Sequence, residues 1–144
     1  MQNINYNTLI HQIKYLNESF VKFQQKGRSA IDELNERCKE ANLNPELSEI
    51  GELTFKIFNK KFIVRIEIKL NENGKFDNGE IVTYCCLNDE EELLVLTSHF
   101  DDIGNYANDF LVEEFSENYL IMFFNKMADL SKDNKIKFPL LNFK

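Results

Sequence analysis

Within His99-Phe100-Asp101-Asp102 an imidazole and two carboxylates fall inside four residues. Such a set can hold a divalent metal or relay a proton. The same residues also have a structural use, since an aspartate at a helix start accepts hydrogen bonds from free backbone N–H groups. A metal-dependent enzyme working through His99, Asp101 and Asp102 therefore stands third among the functional readings. Cys85 and Cys86 could suggest a redox pair, but neighbours on a strand point to opposite faces and cannot readily cooperate. With Cys38 they read as free thiols filling apolar space. The five glycines have no phosphate-binding spacing, and no serine has a nucleophile-elbow context. The expectation is no catalytic residue, no metal and no cofactor.

Charge gives the stronger signal. Between Lys75 and Lys126 there is no Lys or Arg, yet this stretch holds twelve carboxylates, so the formal charge of −7 is concentrated there. A local field of one sign steers association with a partner of the opposite sign. The expected contact residues are Asp89, Glu90, Glu91, Glu92, Asp101, Asp102, Tyr106 and Asp109, with the carboxylates guiding encounter and Tyr106 anchoring the contact. The basic residues Lys56, Lys60, Lys61, Arg65, Lys69 and Lys75 read as the wet face of a half-exposed sheet. The acidic balance argues against direct nucleic-acid binding.

The elements that must position these residues follow from periodicity. Leu9, Ile13, Leu16, Phe20 and Phe23, then Ile31, Leu34, Cys38 and Ala41, mark a helical stripe over residues 8–42. An unbroken helix would span about 52 Å at about 1.5 Å per residue. Either it breaks at Gly27, with Ser29 capping a second segment through Ser29-x-x-Asp32, or it continues and its overhang packs on a second copy. Residues 52–98 read as four antiparallel strands. Leu53, Phe55 and Ile57 lead through a tight turn at Asn59-Lys60 to Phe62, Val64, Ile66, Ile68 and Leu70. Asn73-Gly74 and Asn78-Gly79 then mark a longer reversal. The third strand covers Glu80 to Leu87 and the fourth Leu93 to Ser98. Residues 102–131 read as helical, capped by Asp101 or Asp102 and interrupted near Ser116-Glu117-Asn118. The basic tail, 132–144, ends in an apolar anchor.

The expected architecture is thus one α+β domain over 1–144: an N-terminal helix or helix pair, a four-stranded antiparallel meander, and a C-terminal helix packed on one sheet face. The longest apolar run, Leu120 to Phe124, is far short of the roughly 18–20 residues that cross a bilayer. Three cysteines and a start without signal-peptide character suggest the cytoplasm and no membrane partner. The leading functional expectation is a non-enzymatic acidic protein that inhibits or neutralises a basic partner, in the manner of an immunity protein, antitoxin or anti-defence inhibitor. That partner could be an enzyme acting on nucleic acid. The alternative is a small acidic dimeric chaperone for a secreted or unstable client, with the N-terminal helix as the homodimer contact.

Overall fold

A computed structural model describes residues 5–101 and 112–139. Helix α1, Tyr6–Glu40, is followed by strands β1 (Glu46–Leu47), β2 (Leu53–Ile57), β3 (Lys60–Leu70), β4 (Phe76–Cys86) and β5 (Glu92–Phe100), and then by helix α2, Val112–Lys132. The strands form one antiparallel sheet in sequence order. The expected α+β architecture is present, with five strands rather than four. The extra strand β1 has two residues, too few for alternation to register in sequence.

α1 is continuous. Asn5 caps it, its Oδ1 accepting from the Asn7 N–H at 2.9 Å. It ends where Asn42 takes a φ of 59° and Leu43 N–H bonds back to Cys38 at 3.0 Å. That is the left-handed stop that asparagine tolerates better than most residues. Gly27 does not break the helix, because it is buried where α1 crosses β3 at Ile66. Ser29 caps no second segment: its hydroxyl donates to the Gln25 carbonyl one turn back, at 3.0 Å.

Two turn expectations are corrected. The β2–β3 turn is Phe58-Asn59, with φ of 50° and 67°, the two-residue geometry that matches strand twist. The β3–β4 reversal is Asn71–Lys75, where Asn71 Oδ1 accepts from the N–H groups of Asn73 and Lys75. Asn78-Gly79 lies inside β4, and its glycine leaves room for the Phe100 ring on β5, which a Cβ would strike.

Both helices contribute to one core with the sheet. Phe55, Phe62, Val64, Ile81 and Cys85 meet Phe23, Ile31 and Leu34 of α1 and Phe115, Tyr119, Phe123 and Met127 of α2. Phe123 stands edge-on to Phe62 at 4.9 Å and to Phe55 at 5.8 Å. α2 runs through Ser116-Glu117-Asn118 without interruption. There Ser116 is buried and accepts from Arg37 Nε at 3.3 Å, while Glu117 pairs with Arg37 Nη2 at 3.0 Å. Polar residues that read as a break are instead the contact between the helices. Ile136 and Phe138 of the tail are buried, with Phe138 against Phe58 and Phe124. The capping by Asp102, the helical expectation for 102–111 and the end of the tail lie outside the described residues. Among the described residues no helix is long and apolar enough to cross a membrane.

Candidate functional site

The β4–β5 connection is fixed by Asn88. Its Oδ1 accepts from the N–H groups of Glu90 and Glu91, both at 2.8 Å, and the Leu87 N–H donates to the Glu91 carbonyl at 2.9 Å. The side-chain amide does the work of a backbone turn. It leaves Asp89, Glu90 and Glu91 exposed on three consecutive positions. None of the three makes an ion pair among the described residues. Asp89 and Glu90, with Glu92, border a hollow that reaches Lys61, Ile63 and Cys86 on the outer sheet face, away from the helices.

Other carboxylates of the acidic stretch are neutralised by cations from outside it. Glu92 receives both Nη1 and Nη2 of Arg65, at 3.1 and 3.0 Å, and Glu52 takes Nε at 3.2 Å. The Arg65 guanidinium also lies 5.3 Å from the Tyr84 ring centroid. Its pKa is raised, chiefly by the hydrogen bond to Glu92. Glu80, directly opposite Glu67 across the β3–β4 ladder, has Lys69 at 4.0 Å and His99 Nδ1 at 3.6 Å. Lys69 is held protonated above its usual range by Glu67 first and Glu80 second. Glu117 belongs to Arg37.

The expected contact residues do not gather into one field. Asp89, Glu90, Glu91 and Glu92 lie at the start of β5, whereas His99 and Asp101 lie at its other end. At about 3.3 Å per residue, Glu92 and His99 are about 23 Å apart. Glu92 is a structural partner of Arg65 rather than a free charge. Asp102, Tyr106 and Asp109 lie outside the described residues. Among those described, no three His, Cys, Asp or Glu side chains gather as a metal site needs. His99 Nδ1 instead lies 3.3 Å from the Asn78 amide nitrogen and near Glu80. Cys85 is buried, with its thiol pKa pushed up by burial, and Cys86 is partly exposed on the opposite face. Burial pushes the Cys38 thiol up to about 12.

Residues not singled out in the sequence complete the surface. Pairing places Ile63, Tyr84 and Leu94 side by side on the outer face, next to the acidic turn. Leu94 is 51% exposed, and Leu87, which enters the turn, is also exposed. The signal was available in β4, where Val82, Tyr84 and Cys86 alternate with the core-facing set and make the outer face apolar as well. The resulting patch has an aromatic and aliphatic row beside the turn that carries Asp89, Glu90 and Glu91, which make no ion pair among the described residues. Comparison with protein-family models, with curated proteins and with solved structures finds no match to this chain.

Proposed function

We propose that the chain is a non-catalytic binding protein that occupies, and thereby inhibits or neutralises, a basic surface of a partner protein. The observation that carries this reading is the Asn88 turn, which presents Asp89, Glu90 and Glu91 without a cation among the described residues, while Glu80, Glu92 and Glu117 are paired internally. Unpaired rim charges raise the encounter rate with an opposite surface, and the adjoining Tyr84 and Leu94 supply the apolar contact that holds it. A partner whose own substrate is nucleic acid offers such a basic surface.

The experiment compares the wild-type chain with the variant Asp89→Asn/Glu90→Gln/Glu91→Gln as bait for proteins of the source cell. A basic protein retained by the wild type, lost as salt rises, and not retained by the variant supports the reading. Retention that is equal for both baits, or indifferent to salt, refutes it.

One further observation favours the chaperone alternative. Phe20, Ile50, Ile66 and Ile68 line a groove beside β3, of the kind that takes an extended client segment. A chaperone binds an isolated peptide of its client, whereas an inhibitor requires the folded target.

A further inference from the structure

β3 outruns its neighbour. β2 pairs with β3 only over Lys60–Val64, so Arg65–Leu70 are paired on the β4 side alone. Among the described residues the other edge of these six residues is open, a length of about 20 Å. An unpaired strand edge is a template for another strand. Here it borders a groove of about 750 Å³ whose floor is Ile66 and Ile68 and whose wall is Phe20, Gln24 and Arg28 of α1. Ile50 at the lip is 84% exposed, and Leu70 at the end of the strand is 59% exposed.

We infer that a second copy of this chain occupies the edge, with the two β3 strands antiparallel across a twofold axis at Ile68. The sequence of the edge is complementary to itself in that register. A twofold perpendicular to the sheet keeps the core-facing residues of both copies on one side, so the pairing must centre on a residue. Centring on Ile68 sets Ile68 against its own copy and Ile66 against the partner's Leu70. It also sets Glu67 against the partner's Lys69 twice, once on each side of the axis. Centring on Glu67 or Lys69 would oppose like charges, which destabilises a pair. Centring on Ile66 would require the edge of Val64, which β2 already holds.

The helices fit the same arrangement. α1 lies over the β3–β4 hairpin, with Gly27 against Ile66 and Phe20 against Phe76, ring centroids 5.4 Å apart. The pairing would set the Phe20, Gln24 and Arg28 wall of each α1 toward its copy across the axis. The partner's β3–β4 turn reaches the 48–51 loop, where Ile50 is exposed. The acidic β4–β5 turns lie about 23 Å from the axis along the strands, beyond the reach of screened repulsion. Dimerisation is thus independent of the proposed inhibitory contact.

Charge exchange in trans tests the register. Sedimentation of the wild type at about 100 µM gives twice the 17.0 kDa chain mass. Glu67→Lys alone and Lys69→Glu alone each oppose like charges at both symmetric positions and weaken the dimer roughly tenfold or more. An equimolar mixture of the two variants restores a heterodimer, because every Lys then faces a Glu. Leu70→Lys, at an exposed site, weakens the dimer while circular dichroism stays native. A wild type of single-chain mass, single variants that dimerise normally, or a mixture no stronger than its components would overturn the inference. So would a monomer that binds an extended apolar peptide along this edge.

Discussion

Gly27 of α1 sits directly on Ile66 of β3: a Cβ at position 27 would come within 2.9 Å of the isoleucine Cγ2 and within 3.1 Å of its Cγ1 and Cδ1. Glycine costs a helix interior about 1 kcal/mol relative to alanine. The close approach of helix and sheet explains its presence, since isoleucine is stiff at χ1 and cannot easily turn aside.

Gly27→Ala should therefore lose stability despite the gain in helix propensity, by about 1 kcal/mol net, because overpacking costs about 1–3 kcal/mol. Ile66→Ala removes the obstructing atoms. In urea unfolding, Gly27→Ala/Ile66→Ala should be more stable than the two single losses predict. Simple additivity would show that the contact does not limit the residue at 27.

Thr83 of β4 and Tyr119 of α2 share a hydrogen bond in the core, where both side chains are fully buried. Tyr119→Phe leaves the threonine hydroxyl without that partner, at a cost of about 1–3 kcal/mol. At about 2–4 °C per kcal/mol the melting temperature should fall by several degrees. Adding Thr83→Val removes both polar groups and should recover most of the loss. A double variant as unstable as Tyr119→Phe alone would assign the cost to packing.

Alkaline stability follows from Cys38. Burial raises its thiol pKa from 9.0 to about 12 in the folded chain. The folded state therefore keeps a proton that the unfolded state releases near pH 9. This contribution is complete below that pH and is lost as the pH rises toward 12. Tyr119 acts in the same direction from its ordinary value of 10.0, again through burial. Cys38→Ala should cost some stability at pH 7 from the small cavity it leaves, but should lose less between about pH 9 and pH 11 than the wild type. Parallel urea midpoints across that range would contradict this.

The fold was legible in sequence wherever alternation ran long enough. Phe62 and Val64, with Leu53, Phe55 and Ile57, face the core as their spacing predicts. Local residue chemistry read apart from packing misled at Asn78-Gly79 and Ser116-Glu117 and left Gly27 open between a break and a continuous helix. Gly27, Asn78-Gly79 and Ser116-Glu117 resemble breaks, yet each marks a place where two elements meet: α1 on Ile66, β4 under Phe100, α2 against Arg37. The acidic stretch was legible as composition but not as a surface. A linear count cannot show that Arg65, Lys69 and Arg37, distant in sequence, reach into it and neutralise Glu92, Glu80 and Glu117. Nor can it show that one strand separates Asp101 from Glu90. Asp89, Glu90 and Glu91, which make no ion pair among the described residues, are held by Asn88, whose role depends on a local turn rather than on charge.

The central claim is that these three carboxylates draw in a basic partner, and the association rate constant tests it most directly. Once the partner is captured, its association with the wild-type chain should slow by tenfold or more between about 50 and about 500 mM salt. Asp89→Asn/Glu90→Gln/Glu91→Gln should associate slowly at every salt concentration, with a much flatter dependence. Equal rates and equal salt slopes for the two proteins would contradict the account.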